Sequence, residues 1–402
     1  MACVSCTKAK RRCSKQIPAC SRCTRQGIDC RYPAPRVAPP YHLVFTEDGQ
    51  GISAVAAPIG GQPVNEIDAY IANLWFLNPT SWNAKPAPHL IGRVSFTDQA
   101  LPHFVGQLQR WVGQWTSDAR CPLIHGQLFA SDLPLIVQDA FTAAVAYQSR
   151  TPAMGRAVLR IVADRATRLV QQQQQQQHDE STQASAPHAA AGVEGSEGAE
   201  NENLGSVMLD TTTHLQRTAA LVIYTIICLF DGDIRCRAEA EERLDLLIAW
   251  AYQLRESASL DVACQIDWAV PYLGEGTITT ATAATADVEH VWQAWIFAES
   301  VRRVYTTALL IVTTYRIMKQ GWTECFGSLP VSGADGLWDA PSAYTWLAKL
   351  REKKGNMSIV QVADENLLLT GFNPADLDEF ARAVLSVTCG LETLERWSAN
   401  AG

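Results

Sequence analysis

Six cysteines between Cys3 and Cys30 constrain this chain more than any other stretch of it. In CVSCTKAKRRCSKQIPACSRCTRQGIDC they are spaced C-x2-C-x6-C-x6-C-x2-C-x6-C, and they are half of the twelve cysteines in 402 residues. The stretch is an internal repeat. Cys3-Val-Ser-Cys6 and Cys20-Ser-Arg-Cys23 share one plan, each closed by a cysteine seven positions further on, Cys13 and Cys30. A repeated ligand spacing predicts two pseudo-equivalent metal sites. Structural zinc is tetrahedral and saturated by thiolates, so two ions need about eight ligand positions. Six sulfurs fill them only if two sulfurs bridge. Pseudo-symmetry makes the bridging pair equivalent in the two halves; Cys3 and Cys20 are one such pair, and symmetry alone does not choose it.

Paired cysteines also serve disulfide frameworks, redox CxxC motifs and other zinc modules. The chain opens at Met1 without an apolar leader, which sets the expectation of a reducing compartment, where disulfides are disfavoured. Finger-type and RING sites would usually draw on histidine, and none precedes His42. Metal also explains how so short a segment folds. About thirty residues bury too little apolar surface to be stable alone, and structural zinc supplies on the order of 10 kcal/mol of folding free energy. Without zinc this segment is expected to be unstructured.

Charge points independently to nucleic acid. Residues 1–36 carry nine Lys or Arg against the single acid Asp29, a formal +8, whereas the whole chain is at −8, so the remainder carries −16. Six thiolates and two zinc ions leave the metallated segment near +6. A basic head on an acidic body is a local footprint for phosphate. Lys8-Ala9-Lys10-Arg11-Arg12 reads equally as a nuclear import signal, and the nucleus is the expected compartment.

The six-point spacing, the basic residues between Cys6 and Cys13, and Pro18 in the central loop together resemble the fungal Zn(2)-Cys(6) binuclear cluster family of transcription factors. The resemblance implies two Zn2+ per chain with Cys3 and Cys20 as the bridging sulfurs. One metal then takes Cys3, Cys6, Cys13 and Cys20, the other Cys3, Cys20, Cys23 and Cys30. It further implies a short helix after each CxxC, the end of the first lying in the DNA major groove, with Lys10 as the base-reading lysine and Arg12 as the basic residue before the third cysteine. Thr7 and Ala9 depart from the family pattern, which often carries further basic residues there; Lys8 and Arg11 stand beside them. Lys10 and Arg12 can donate to guanine O6 and N7, while Lys8, Arg11 and Lys15 suit phosphate contacts that position without reading sequence.

The function that follows is regulation of RNA polymerase II-type transcription through GC-rich half-sites in promoter DNA. The transcription machinery or coactivators are the further partners. The alternative from another class is a zinc-stabilised protein-interaction module whose basic surface meets an acidic protein.

The predicted architecture is a small zinc binuclear cluster domain of two helix-turn units at 1–33, a Pro/Gly-rich linker at 34–64, and an all-α regulatory domain at 65–402. The linker contains Gly49-Gln-Gly51-Ile-Ser-Ala54, a G-x-G-x-x-A match after the strand-like His42 to Phe45. A dinucleotide site would need a helix opening there, and Pro58 with Gly60-Gly61 argues against one. Sustained heptads are absent between residues 33 and 64, so binding as a monomer and dimerising as a homodimer through the body are both open.

In the body, Ser131 or Asp132 is a cap candidate for a helix with Pro134 in its first turn. Leu101, Phe104, Val105, Leu108, Trp111 and Val112 form an apolar face at helical spacing. His214 to Phe230 reads as a helix ending at Asp231-Gly232, followed by a charged one around Arg235 to Arg255. The windows Ala219 to Phe230 and Val304 to Ile317 read as buried helices too short for a bilayer, and no membrane partner is expected. The longest candidate runs from Asp287 to Gly321, read as a central core helix rather than a dimer seam because it is apolar on several faces. Glu299 and Arg303 read there as a weak local pair. WQAWIFAESVRRVYTTALLI and LWDAPSAYTW also resemble the regulatory region of fungal regulators encoded in secondary-metabolite gene clusters, which implies control of a biosynthetic gene cluster.

Gln171 to Gln177 and the polar stretch to about Gly205 read as a disordered low-complexity insertion, whose acids Glu194, Glu197, Glu200 and Glu202 are a solvated spacer. Cys121, Cys228, Cys236, Cys264, Cys325 and Cys389 form no CxxC pair, and Cys228 reads as a small core hydrophobe. No HExxH, P-loop or G-x-S-x-G pattern is present, so no enzymatic activity is expected.

Overall fold

A computed structural model describes residues 6, 8, 20–26, 41–45, 52–56, 76, 79–84, 99–130, 132–184, 209–264, 281–324, 326–327, 329–352, 358–359 and 373–400. The chain divides into two units, Met1–Asn73 and Leu74–Gly402.

In the first unit, Cys6 and Lys8 are helical and a second short helix, α1, spans Ser21–Gln26. This second helix starts inside its CxxC pair rather than after it. The stretch expected to be only a linker contains an antiparallel hairpin of β1, Tyr41–Phe45, and β2, Ile52–Ala56, in register Tyr41↔Ala56 to Phe45↔Ile52. Tyr41 to Phe45 and Ile52 to Ala56 are rich in the aromatic and β-branched residues that suit a pleated strand. Ile52, Ser53 and Ala54 therefore belong to a strand, not to the start of a helix, which removes the dinucleotide reading of Gly49 to Ala54.

The second unit is built from helices. In chain order these are α2 Ala100–Asp118, α3 Leu135–Gln148, α4 Gly155–Ala184, α5 Thr211–Phe230, α6 Ile234–Glu242, α7 Leu244–Cys264, α8 Ala281–Gln320, α9 Ala343–Glu352, α10 Glu379–Thr388 and α11 Leu391–Asn400. Among the described residues, a two-residue β pair, Val331–Ser332 with Ser358–Ile359, and an isolated antiparallel bridge between Ala334 and Leu377 depart from the expected all-α body.

The core forms around α5, which packs against α2, α3, α4, α6, α7 and α8. Asp210 starts it, its side chain accepting from Thr213 N at 2.6 Å. Gly232, at φ 109°, turns the chain out just beyond it. Every residue from Arg217 to Leu229 is buried. By length and composition α5 is long enough to cross a membrane, unlike the shorter apolar window seen in the sequence, yet most of it is buried inside this protein. Its apolarity on all sides reflects a central position.

The 40-residue α8 lies against α5 and α7 and begins six residues before the expected cap, Asp287. It ends at Gly321, at φ 81°, whose N–H reaches Ile317 O at 2.8 Å. Trp295, Val301, Tyr305, Ala308, Ile311 and Val312 are all buried, so the seam of small and apolar residues is core.

Three other expectations need correction. Asp132 does not cap α3, and Ser131 lies outside the described residues: Pro134 occupies the cap position, extended at ψ 147°, and no side-chain cap bond forms. The helix expected over Arg235 to Arg255 is two helices broken at Arg243. Asp233 Oδ1 accepts from Arg235 N and Cys236 N at 3.0 Å to start the first, and Arg243 N closes it on Ala240 O at 3.1 Å.

The third concerns the glutamine run. The polar insertion expected at 171–205 is helical as far as Ala184. Val158, Leu159, Val162, Ala163, Ala166 and Leu169 nucleate α4 against the core. Glutamine, a good helix former, then extends it at little cost. Gln173 is buried, and its Oε1 accepts from Arg217 Nη1 at 3.3 Å.

Candidate metal centre and nucleic-acid interface

The start of α1 organises the sulfurs. The x2 spacing puts Cys20 just before the helix and Cys23 at its third residue, so the Cys23 backbone N–H donates to Cys20 Sγ at 3.4 Å. That is the geometry of an N-cap side chain, with sulfur in place of the usual oxygen. The first turn is secured by Thr24, whose N and Oγ1 both donate to Cys20 O, at 3.0 and 3.2 Å.

Cys6, from the first repeat, meets this turn. Its Sγ lies 3.6 Å from Cys20 Sγ. The Sγ atoms of Cys6, Cys20 and Cys23 all fall within 4.8 Å of one another, and all three side chains are wholly buried. None of the three is in a disulfide, since 3.6 Å is far from a covalent S–S bond. Two thiolates on one tetrahedral zinc, each about 2.3 Å from it, stand about 3.8 Å apart. The Cys6–Cys20 separation therefore fits a shared zinc. Burial of three sulfurs together, which as thiolates would repel, fits a cation between them. Among the described residues no other group of three His, Cys, Asp or Glu side chains converges in this way.

Of the residues singled out from sequence, Lys8 is described and exposed on its helix. Cys3, Cys13, Cys30, Lys10, Arg11, Arg12 and Lys15 lie outside the described residues. Sequence reasoning passed over Arg22, whose Nη1 donates to Cys6 Sγ at 3.7 Å while the side chain is half-buried. The signal was present: a basic residue occupies one of only two positions inside the second CxxC.

In the body two of the described cysteines, Cys121 and Cys228, are held in the thiol form. Burial raises the Cys121 thiol to about 12. The Cys236 side chain, followed by burial, pushes Cys228 upward as well, so Cys228 is the core hydrophobe its surroundings suggested. The ionic centre of the body is Arg303, fully enclosed between Trp338 and Phe380, its guanidinium carbon 3.9 and 4.7 Å from their ring centroids.

Residues 1–38 match the fungal Zn(2)-Cys(6) binuclear cluster domain, a module that binds two zinc ions. The match and the clustered, buried sulfurs support a fungal Zn(2)-Cys(6) transcription factor, a class that binds DNA. Along nearly all of its length it is similar to transcription factor gsfR2 of Penicillium aethiopicum, with 24% identity over 434 aligned positions covering 98% of this chain and 94% of the relative. No solved structure matches the chain.

Proposed function

We propose that this protein is a sequence-specific regulator that reads GC-rich half-sites in promoter DNA through its zinc cluster and governs RNA polymerase II transcription of a biosynthetic gene cluster. The six ligands are Cys3, Cys6, Cys13, Cys20, Cys23 and Cys30, with Cys3 and Cys20 shared between the metals. The observation that carries this reading is the position of Cys20 Sγ, close at once to Cys6 from the first repeat and Cys23 from the second. A sulfur bridging two metals needs neighbours of that kind.

Zinc supplies the fold of the head; the chain's own side chains do the reading. Lys10 and Arg12 donate to guanine edges, and Lys8, Arg11 and Lys15 hold phosphates and set the register. Residues 34–64 tether the cluster to the helical body at 65–402, which contacts coactivators and offers the surface for any homodimer. The protein works in the nucleus. The likeness of WQAWIFAESVRRVYTTALLI to regulators of secondary-metabolite clusters, and the full-length similarity to another transcription factor, support the regulatory reading.

The test is selection from a randomised duplex pool by the zinc-loaded full chain, with a Cys20→Ala control, over a range of salt. A GC-rich motif recovered by the parent and lost by the control is the expected result. Equal binding of every duplex, or no binding beside capture of acidic protein, would overturn promoter recognition in favour of an interaction module.

A further inference from the structure

We infer that Arg22 belongs to the zinc cluster rather than to the DNA contact: its guanidinium neutralises charge on the Cys6 thiolate and slows loss of the metal that Cys6 holds. This rests on the two-zinc reading above.

The geometry sets Arg22 apart from the other described cations of the head. Lys8 and Arg25 are exposed, whereas Arg22 is half-buried with Nη1 directed at Cys6 Sγ, 3.7 Å away, and that sulfur has no exposure to solvent. α1 makes this possible. Arg22 is its second residue, between the two sulfurs at Cys20 and Cys23, whereas Arg25 lies in the last turn and is exposed.

The chemistry asks for such a group. Six thiolates around two Zn2+ leave two negative charges on the sulfur core, and charge held away from water needs donors. A charged N–H donor is worth more there than a neutral one. Ligand-supporting residues of this kind typically change metal affinity by roughly ten- to a hundredfold.

The contact also runs between repeats: Arg22 comes from the second half, Cys6 from the first. At the equivalent place in the first half stands Ser5, which has no charge to return. The pseudo-symmetric cluster is thereby made unequal. In the ligand set proposed above Cys6 belongs to one metal alone, so that one ion is held longer by Arg22.

The experiment compares zinc release from the loaded full chain to a chromogenic chelator in the parent, Arg22→Gln and Arg22→Lys, with zinc content by native mass spectrometry. The salt dependence of DNA affinity is measured alongside. Expected is two-phase release from Arg22→Gln, one ion leaving at least about tenfold faster, with Arg22→Lys between it and the parent and an unchanged salt slope. Parental release kinetics together with a salt slope smaller by about one phosphate contact would overturn the inference and make Arg22 a backbone contact. If Arg22→Gln loads fewer than two ions, loading restored in Arg22→Lys supports the role of charge, and failure of both variants overturns it in favour of simple packing. Fewer than two zinc ions in the parent would instead sink the two-zinc reading, whatever the variants do.

Discussion

Arg303 Nη2 donates to Asp378 Oδ2 at 2.5 Å, tying the middle of α8 to the residue that caps α10, 75 positions away in sequence. The same guanidinium reaches Glu299 Oε1 from Nε at 3.1 Å, Pro122 O from Nη1 at 3.0 Å and Ser332 O from Nη2 at 2.8 Å. Burial pushes the Glu299 and Asp378 carboxyls up, and Arg303 pulls both back. Three segments remote in sequence, at Pro122, Ser332 and Asp378, thus converge on one cation of α8. Removing a partner of a buried ion pair costs about 3–5 kcal/mol, because the other charge is left uncompensated.

Asp378→Ala should therefore lower unfolding free energy by about 3–5 kcal/mol in denaturant titration. Asp378 also accepts from Ala381 N at 2.8 Å, so Asp378→Asn keeps the cap and isolates the charge. Glu392→Gln, which breaks the exposed Arg396 pair, should change stability by less than about 0.5 kcal/mol. Similar losses for Asp378→Ala and Glu392→Gln would refute the central role given to Arg303.

The glutamine run should tolerate change at most positions and resist it at one. Gln173 is buried on Arg217 while Gln172 and Gln174 face solvent. A hydrogen bond to a charged partner is worth about 1.5–3 kcal/mol, so Gln173→Ala should destabilise by that order. Gln172→Ala should stay within about 0.5 kcal/mol. Thermal melts of the two variants decide it.

His125 makes stability depend on pH. Burial first, then the Arg303 charge, lower it from 6.5 to about 4, while its Nδ1 accepts from Gln127 N at 3.1 Å and its ring stands edge-on to Trp338. Folded His125 is neutral where the unfolded chain would take up a proton. Its contribution is complete above pH 6.5 and is lost as pH falls toward 4. The slope is at most about 1.4 kcal/mol per pH unit. Glu299 and Asp378, with carboxyls raised by burial, act in the opposite sense, so comparison with His125→Phe isolates the histidine. That variant should lose less stability than the parent between pH 6.5 and 4; a parallel profile would remove the assignment.

Within the head, Lys10→Ala should reduce discrimination at a guanine by about 1–3 kcal/mol, whereas Lys15→Ala should weaken all duplexes alike and lower the salt slope by about one contact. Selection on a duplex pool reads the first and a salt titration the second. An unchanged motif with Lys10→Ala would end its role as base reader. Stripping zinc should abolish both the helical signal of the head and DNA binding.

Much of the body was legible because helical periodicity records burial: the face from Leu101 to Val112, the α5 end at Gly232 and the core position of α8 all follow from where apolar residues recur. What periodicity does not record is the partner of a polar residue. Glu299 and Arg303, one turn apart, read from sequence as a weak local pair. Their burial depends on Ser332 and Asp378 arriving from distant segments. The glutamine run was misread for the same reason: composition marks it as polar, while one register position meets Arg217.

The cysteine spacing by itself pointed to the metal chemistry, and the basic charge of residues 1–36 with the family resemblance pointed to DNA, because ligand spacing and local charge are properties of the chain alone. Only the tertiary structure decided that Arg22 turns toward Cys6 and that Arg303 gathers three remote segments, since each of these contacts joins residues that no sequence pattern brings together and exists only once the fold has removed water from between them.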